Sequence, residues 1–339
     1  MIAAWGDVLA ALQPWLLWTG GLVWGGLALL ALRRLAAALR ARAREDIADR
    51  WVLVTGCDSG FGQGVIAALV ERGARVIACC LSEDGARAAL AAGADQAPRL
   101  DLTDDEAVAA MAREAHTRCG GSLWGLVHCA GVAMPGFVDY QPIAFYRDTM
   151  AVNFFAPVLL TQKLLPALRN ARGRVVLVSS VDGLVSLPGN APYDASKYAL
   201  EAYADALRAE LSFWGVGVSV VNPSTMRTPM SMAFFPAHRR AWQAMASLDP
   251  GGAWQSAWPE EWLERYIAVN TPQLEKIAQD PRHAVDDIVH ALDARRPRLR
   301  YLSGTAAKTL FYALWVGPET WSLRFKQLMI QPPPPVEPR

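Results

Sequence analysis

The segment TGCDSGFG at residues 55–62 constrains the fold of this chain more than any other feature. It follows 51–54, a short apolar run typical of a β-strand, and it leads into 61–71, whose apolar spacing is typical of a helix. A glycine-rich turn between a strand and a helix lets backbone N–H groups and the positive helix N-terminus approach a phosphate. By itself such a turn is equally consistent with an ordinary loop. In this setting it predicts an α/β fold with a dinucleotide-binding site.

A second segment supplies groups for proton transfer. Ser180 precedes Tyr193 by thirteen residues and Lys197 follows Tyr193 by four, so the tyrosine and the lysine share a face of a helix predicted over 193–214. A free phenol with a pKa of about 10 is a poor base, but a neighbouring ammonium and the positive charge of a nicotinamide lower that pKa. Ser180 follows a predicted strand at 174–179 and can hold a substrate oxygen by a hydrogen bond. Alone, Tyr193 and Lys197 are typical of a surface helix pair, but with the glycine-rich turn they predict hydride transfer.

Together these segments resemble the short-chain dehydrogenase/reductase family, over about residues 50 to 300. The resemblance implies a Rossmann-like, doubly wound parallel sheet in a single α/β domain. Asn153, in AVNFF, matches the asparagine that completes the family's catalytic tetrad and holds a water linked to the lysine. The other tetrad members are Ser180, Tyr193 and Lys197.

The resemblance also implies where a nicotinamide cofactor is held. Thr55 and the three glycines match the family's Thr-Gly-x-x-x-Gly-x-Gly motif, Asp101 in DLT matches the residue that contacts the adenine amino group, and Met226 with Thr228 matches the positions that hold the nicotinamide amide. The predicted cofactor contacts are Thr55, Gly56, Asp58, Ser59, Gly60, Phe61, Gly62, Glu83, Asp101, Leu102, Cys129, Ala130, Gly131, Tyr193, Lys197, Pro223, Met226 and Thr228.

Two positions depart from the family pattern. His128 and Cys129 replace the two amides of the usual Asn-Asn-Ala-Gly. Ser224 replaces the glycine of the usual Pro-Gly, which would strain the chain by roughly 1 kcal/mol if that position needed a left-handed backbone. Neither departure removes a group that takes part in the chemistry.

The end of the second predicted strand indicates the choice of cofactor. A 2′-phosphate needs an arginine or lysine at this place, whereas a free ribose diol is bound by a carboxylate or a neutral polar group. Residues 79–83 are Cys, Cys, Leu, Ser and Glu, without a base, so we predict NAD rather than NADP. Cys80 occupies the place of the usual aspartate, which leaves Glu83 as the candidate ribose contact.

Composition excludes several other classes of function. The 339 residues carry a formal net charge of +1, without the basic excess of a nucleic-acid-binding protein. The five cysteines lack metal-ligand spacing, so neither a metal site nor a secreted disulfide framework is expected.

The N-terminal region predicts a membrane anchor. Residues 8–32 carry no charge, and as a helix they would extend about 37 Å, enough to cross a bilayer. A cleaved signal peptide and a helix buried in an oligomer are the alternatives. Asp7 precedes the span and five arginines follow it within 33–44, which places the catalytic domain on the cytoplasmic side, at the endoplasmic reticulum in a eukaryote or otherwise at a mitochondrial membrane.

We therefore predict four regions: an anchor with its basic flank at 1–45, a catalytic domain at 46–304, an apolar and possible membrane-contacting segment at 305–330, and a disordered proline-rich tail at 331–339. Seven strands are predicted, at 51–55, 75–80, 97–101, 124–129, 174–179, 217–222 and 298–302. Thr103 and Glu106 predict a capping box for the helix after the third strand.

The stretch 225–280 corresponds to the substrate lid of the family and is rich in aromatic residues and methionine. Such side chains bury hydrocarbon without needing polar partners, although some must form the lid's own core. The segments CDSGFG, RVVLVSSV and SKYALEAYADALRAEL resemble the retinol and hydroxysteroid dehydrogenase branch of the family. The resemblance implies a lipophilic alcohol or ketone as substrate, with a homodimer or homotetramer as the assembly.

Two alternatives remain open. Arg239 and Arg240 in the lid could hold a carboxylate, which would favour a 3-hydroxybutyrate-type substrate. A membrane-tethered scaffold that binds a nucleotide without catalysis is the other, although the chain retains every tetrad residue.

Overall fold

The structure is a computed structural model that describes Ala28 and residues 43–334. One compact unit comprises Ile47–Leu292 with Pro297–Arg339, and a second comprises Met1–Asp46 with Asp293–Arg296. In the described part of the second unit, Arg44 forms an ion pair with Asp293. The predicted membrane span at 8–32 lies, apart from Ala28, outside the described residues.

A six-stranded, fully parallel sheet forms the centre of the larger unit and confirms the predicted Rossmann-like α/β fold. Its spatial order is β2-β1-β3-β4-β5-β6. The strands are β1 (Trp51–Thr55), β2 (Arg75–Cys79), β3 (Gly125–His128), β4 (Arg174–Val178), β5 (Gly217–Pro223) and β6 (Arg300–Ser303). The carboxyl ends of parallel strands meet at one edge of the sheet, and the chain reverses its direction of winding between β1 and β3, so a ligand crevice is expected there.

Helices follow most of the strands. They are α1 (Gly60–Val70), α2 (Glu83–Ala91), α3 (Asp105–Arg118), α4 (Ile143–Met150), α5 (Ala156–Ala171), α6 (Ala191–Leu211), α7 (Pro229–Met232), α8 (Phe234–Leu248), α9 (Trp254–Ala257), α10 (Glu260–Ile277), α11 (Arg282–Asp293), α12 (Tyr312–Val316) and α13 (Glu319–Leu328). Short 3₁₀ turns occupy Val138–Tyr140, Val181–Gly183 and Ser212–Trp214, and π-helical turns occupy Ala151–Phe155 and Ala307–Phe311.

The predicted strand at 97–101 is not a continuous strand. Two isolated parallel bridges, Ile77 with Gln96 and Cys80 with Arg99, join this segment to β2. Pro98 lies between them and has no N–H to donate, so the ladder is interrupted. The sheet therefore has six of the seven predicted strands.

The predicted capping box of α3 is also wrong, by one residue. Asp104 is the N-cap, and its carboxylate accepts hydrogen bonds from Glu106 N and Ala107 N. Thr103 instead donates from its N–H and its hydroxyl to Asp101. A carboxylate is at least as good an N-cap acceptor as a threonine hydroxyl, and it also interacts with the helix dipole.

Apolar cores lie on both faces of the sheet, because successive strand residues point to opposite sides. Val52 and Val54 of β1 pack in one cluster with α1, while Leu53 packs in the other with α5. Among the described residues, one helix, Ile143–Ala171, is long and apolar enough to cross a membrane. Its α5 part buries Leu160 and Leu164 in the second core cluster, as a core helix does.

The C-terminal segment at 305–330 belongs to the same compact unit as the sheet. It comprises a π-helical turn followed by α12 and α13. The residues that follow are held against the lid, because Asn270 donates to Gln331 O (2.6 Å) and Trp262 donates to Pro333 O (3.0 Å). Residues 335–339 of the predicted disordered tail lie outside the described residues.

Candidate active site

A cavity of about 740 Å³ opens at the carboxyl ends of the strands. Its floor is formed by the ends of β1, β2, β4 and β5, by the segment after β3, and by the start of α1 and part of α6. Its walls come from the lid and from the C-terminal segment. The sequence predicts twenty residues that bind the cofactor or act in catalysis, with Tyr193 and Lys197 counted once. Those that line the cavity are Thr55, Gly56, Asp58, Ser59, Gly60, Phe61, Asp101, Leu102, Cys129, Ala130, Gly131, Ser180, Tyr193, Lys197, Pro223, Met226 and Thr228.

 The cavity thus brings together seventeen of the twenty residues predicted for the site, and Gly62, Glu83 and Asn153 lie outside its lining.

The glycine-rich turn packs directly on the segment after β3. Gly56 has a φ of +72°, and a Cβ placed on it would lie 2.5 Å from Ala130 Cα, closer than any real contact. Ala130 N donates to Thr55 Oγ1 (3.3 Å), and this hydrogen bond also holds the segment after β3 against the turn. A Cβ on Gly62 would overlap Gly56 O, so Gly62 packs against the backbone of the turn. It does not line the cavity.

The N-terminus of α1 points an uncapped end at the cavity. Ser59 is the N-cap residue, but its side chain accepts no capping hydrogen bond, and the first turn contains no acidic residue. The free N–H groups and the positive end of the helix dipole therefore remain available to an anion. This is the arrangement that the pyrophosphate of a dinucleotide requires.

Asp58 connects this turn to the end of β2. Its carboxylate accepts hydrogen bonds from Leu81 N (2.8 Å), Ser82 N (2.9 Å) and Ser82 Oγ (2.6 Å). Partial burial opposes ionisation, but the bonds from Ser82 and Leu81 prevail and lower the pKa of Asp58. An ionised carboxylate thus lies where β1 and β2 end, which repels a phosphate.

Glu83, the predicted ribose contact, does not line the cavity. It begins α2 and forms a salt bridge of 3.1 Å with Arg99 on the surface.

Asp101 lies at the cavity, where Thr103 donates to its Oδ1 from N (2.8 Å) and Oγ1 (2.7 Å). These hydrogen bonds lower the pKa of Asp101, so it is an ionised acceptor at neutral pH.

The two departures from the family pattern are accommodated without strain. His128 is buried, contacts Thr161 Oγ1 through Nε2 (3.0 Å), and has a pKa that burial lowers to about 3, so it is a neutral packing residue. Ser224 has no left-handed backbone, because Asp49 and Arg172 are the described non-glycine residues with positive φ. Its N–H donates to Ser303 O (3.1 Å) at the edge of β6.

Tyr193, Lys197 and Ser180 converge on the cavity. Tyr193 and Lys197 occupy the first turns of α6, with Lys197 Nζ 5.3 Å from the centre of the Tyr193 ring. Lys197 Nζ donates to Val178 O (2.9 Å) at the end of β4, two residues before Ser180. Burial lowers the pKa of Lys197 to about 8, so the ammonium still prevails at neutral pH.

The phenol is not acidic in this setting. Burial raises the pKa of Tyr193, and the charge of Asp182 acts in the same direction, whereas a hydrogen bond with Ser180 lowers it. Lys197 alone therefore does not lower the pKa of Tyr193 as the sequence pattern suggests. A further positive charge in the cavity is needed to stabilise the phenolate.

Asn153 lies behind the cavity, in the π-helical turn Ala151–Phe155. Its Oδ1 accepts from Val132 N (2.8 Å), and its Nδ2 donates to Val132 O (2.9 Å) and to Ser196 Oγ (2.9 Å). The side chain thus ties the segment after β3 to α6. Through Ser196 it helps to orient the helix that carries Tyr193 and Lys197.

The far end of the cavity is apolar and is formed by two segments. The lid contributes Met230, Phe234 and Phe235, and the C-terminal segment with the first residue of the tail contributes seven residues that sequence reasoning did not place at the site. These are Ala306, Leu310, Phe311, Phe325, Leu328, Met329 and Gln331. The sequence feature that could have indicated these residues is the apolar composition of 305–330. The same composition also predicts membrane contact.

Most of the aromatic residues of the lid form a core of their own. Trp254, Trp262 and Tyr266 are buried in a cluster with Phe137 and Tyr140, and Trp242, Met245 and Trp258 pack against it. Of these residues, Tyr266 also reaches the cavity. The aromatic richness of the lid therefore stabilises the lid at least as much as it shapes the cavity.

Arg239 is engaged within the lid. It forms a two-pronged ion pair with Glu264, with distances of 2.6 Å from Nε and 2.5 Å from Nη2. Arg240 is exposed, and neither arginine lines the cavity. Among the described lining residues, Lys197 is the only base.

The family model described as short chain dehydrogenase matches residues 50–239, more than half of the chain. The chain belongs to the short-chain dehydrogenase family. It is therefore an oxidoreductase, and the resemblance inferred from the motifs is confirmed.

Several relatives of this dehydrogenase are similar over most of its length. Retinol dehydrogenase 7 of Mus musculus is 35% identical over 78% of this chain and 83% of its own length. 17-beta-hydroxysteroid dehydrogenase type 6 of Bos taurus is 36% identical, covering 78% and 84%. Retinol dehydrogenase 16 of Homo sapiens is 37% identical, covering 78% and 83%.

Solved structures show the same fold. A short-chain dehydrogenase from Streptomyces avermitilis superposes with a TM-score of 0.63 at 29% identity, covering 83% of this chain and 95% of the other. A short chain dehydrogenase from Burkholderia cenocepacia J2315, solved in complex with NADP, has a TM-score of 0.60 at 24% identity, covering 82% and 98%. In this dehydrogenase, the glycine-rich turn, the uncapped α1 and Asp101 fit a dinucleotide along the ends of β1 to β3.

Proposed function

We propose that this dehydrogenase oxidises the hydroxyl group of a lipophilic alcohol of the retinol or hydroxysteroid type and uses NAD as the hydride acceptor. The observation that carries the proposal is a single cavity that joins the dinucleotide cradle, Ser180 and Tyr193 to apolar walls from the lid and the C-terminal segment. Relatives named as retinol and hydroxysteroid dehydrogenases support the same substrate class.

A bound nicotinamide cofactor would supply an acceptor for the carbinol hydride and a positive charge that favours the phenolate. Ser180 and Tyr193 hold the substrate hydroxyl by hydrogen bonds, and the phenolate of Tyr193 takes its proton. Lys197 is anchored to Val178 O and keeps its ammonium beneath the Tyr193 ring, where it favours the phenolate. Apolar side chains at the far end exclude water from the reacting atoms.

The charges around the cradle support NAD over NADP. Asp58 places an ionised carboxylate at the ends of β1 and β2, and Arg99, the nearby base, is paired with Glu83. We expect NADH to bind at least about tenfold more tightly than NADPH, because a 2′-phosphate would face Asp58 without a cation. The measurement is calorimetric titration of both nucleotides.

An Asp58→Asn variant tests the cause of that preference. It removes the charge but keeps a carbonyl acceptor for Leu81 and Ser82, so the ratio of the two affinities should fall several-fold. Asp84→Asn, on the surface of α2, removes the same charge away from the cradle and should leave the ratio unchanged. Tighter binding of NADPH by the unaltered protein would contradict the assignment.

The hydroxy acid alternative is less well supported. A carboxylate clamp needs a free arginine at the cavity, and Arg239 is paired with Glu264. The scaffold alternative would be favoured by nucleotide binding without hydride transfer.

Four further proposals rest on the sequence. They are the N-terminal anchor, a cytoplasmic catalytic domain, membrane contact by 305–330, and a homodimer or homotetramer.

The test of substrate class is NADH formation by the detergent-solubilised full-length protein with retinol, a 3-alpha-hydroxysteroid, a 17-beta-hydroxysteroid and 3-hydroxybutyrate. We expect turnover of the lipophilic alcohols and little of the hydroxy acid. Turnover of 3-hydroxybutyrate alone would contradict the proposal.

The C-terminal wall gives a second prediction for the same assay. Phe325→Ser removes an apolar side chain from the cavity wall and should raise the KM for a lipophilic alcohol about tenfold, with a smaller effect on kcat. Phe213→Ser is the matched control, because Phe213 is 87% exposed and lies away from the cavity. Equal KM values for the two variants would show that the segment does not contact the substrate.

A further inference from the structure

Asp182 is a cavity residue to which the mechanism above gives no role. It lies two residues after Ser180, in the 3₁₀ turn Val181–Gly183, and it lines the cavity beside Tyr193. Its N–H donates to Ser180 Oγ (3.1 Å), so the serine and the aspartate form one local unit.

The carboxyl of Asp182 is only partly satisfied. Asn190 Nδ2 donates to its Oδ2 (3.3 Å), while Oδ1 is buried and has no hydrogen-bond partner within the part of the chain that the structure describes. The described salt bridges include none to Asp182. Asp182 is half-buried, and a partly desolvated carboxylate without an ion-pair partner is costly, so its charge responds to pH and to its neighbours.

The charged and titratable groups around it come from several elements. Tyr193, Asp194 and Lys197 face it from α6, and Ser180 lies beside it at the end of β4. Glu201, the next carboxyl along α6, is paired with Arg300 (2.6 Å) and is thereby neutralised.

The second carboxyl, Asp194, has a different position. Its Oδ2 accepts from Leu187 N (2.6 Å), it does not line the cavity, and Lys326 of α13 acts on it from the other side. Burial raises the pKa of both carboxyls. Asp182, and not Asp194, is therefore the carboxyl that lines the cavity together with Tyr193.

We propose that Asp182 is a positioning residue for Tyr193. Its carboxyl lies at the cavity wall beside Ser180 and determines the negative charge near the phenol. This charge sets the pH range in which the site oxidises an alcohol. The inference rests on the proposed function, since it assigns Tyr193 as the group that exchanges the proton. An ionised Asp182 disfavours the phenolate needed for oxidation and favours the protonated phenol needed for reduction of a carbonyl compound.

An ionised Asp182 moves alcohol oxidation to higher pH. Above the pKa of Asp182 the carboxylate raises the pKa of Tyr193, so oxidation begins at higher pH than it would beside a neutral group. Asp182→Asn removes this charge at every pH and keeps the side-chain shape. The pH midpoint of kcat/KM for alcohol oxidation should therefore fall by roughly one pH unit.

The experiment compares pH profiles of kcat/KM for the full-length protein and its Asp182→Asn and Asp182→Glu variants. Asp182→Glu restores a carboxyl and should return the midpoint toward that of the unaltered protein. Asp205 is an exposed carboxylate of α6, the helix that carries Tyr193, and it pairs with Arg208. Asp205→Asn should leave the midpoint in place. Lower rates at an unchanged midpoint for Asp182→Asn would overturn the proposal, because they would indicate a merely structural role.

A second readout does not depend on turnover. With NAD bound, the ultraviolet difference between each protein and its Tyr193→Phe counterpart reports the ionisation of Tyr193 alone. Asp182→Asn should move this titration to lower pH, and an unmoved titration would overturn the inference even if no alcohol were oxidised. Absence of turnover with a moved titration would count against the proposed function only.

Discussion

Tyr193→Phe should lower kcat for alcohol oxidation by at least about 10³-fold while leaving NAD affinity nearly unchanged. The ring is half-buried at the start of α6 and packs near Lys197, and phenylalanine keeps that packing. The variant loses only the hydroxyl that exchanges the proton with the substrate. The measurement is steady-state NADH formation together with calorimetric titration of NAD.

Tyr203→Phe is the matched control for this variant. Tyr203 lies on the same helix and packs against Phe154, away from the cavity. Its loss of a hydroxyl should change kcat little. Substantial residual activity in Tyr193→Phe, or an equal loss in the control, would contradict the assignment of Tyr193 as the proton-transfer group.

Gly56→Ala should weaken NAD binding by at least about tenfold and lower the free energy of unfolding by roughly 1 to 3 kcal/mol. The new Cβ would lie 2.5 Å from Ala130 Cα and 2.6 Å from Ala130 N, so the turn and the segment after β3 must separate. The hydrogen bond from Ala130 N to Thr55 would lengthen with them. Calorimetric titration of NAD and thermal unfolding measure the two effects.

Gly251→Ala separates crowding from backbone strain. Gly251 has a φ of +76°, almost that of Gly56, but nothing lies within 4 Å of the position of its Cβ. Its replacement should cost roughly 1 kcal/mol of stability from the left-handed backbone and should not affect NAD binding. Equal losses of NAD affinity in the two variants would show that close packing on Ala130 is not what the cradle requires.

The parts of the site that sequence could predict are those whose chemistry depends on local spacing. The turn at 55–62, the serine at the end of β4 and the Tyr-x-x-x-Lys pair each place their groups through one strand end or one helix face, and all reach the cavity. Strand order in a parallel sheet then brings distant segments to the same edge.

The errors in the fold have equally local causes. Pro98 interrupts a segment whose apolar pattern is otherwise that of a strand, because it cannot donate to β2. Asp104, one residue beyond Thr103, caps α3, and adjacent residues that can both cap a helix are not distinguished by pattern.

Long-range packing explains what the sequence did not show. The pairing of Arg239 with Glu264, the C-terminal wall of the cavity and the environment of Asp182 depend on contacts between segments far apart in the chain. Apolar composition indicated membrane contact for 305–330, but not that Phe311 and Phe325 would line the cavity. The spacing of Tyr193 and Lys197 likewise could not reveal that burial raises the pKa of the phenol.

Hydride transfer itself is tested most directly by isotope. The full-length protein is supplied with NAD and with a lipophilic alcohol that carries deuterium on its carbinol carbon, and the NADH formed is analysed by mass spectrometry. We expect one deuterium in each NADH, and we expect Tyr193→Phe to form labelled NADH at least about 10³-fold more slowly. Unlabelled NADH from the unaltered protein, or labelled NADH formed equally well by Tyr193→Phe, would contradict this mechanism.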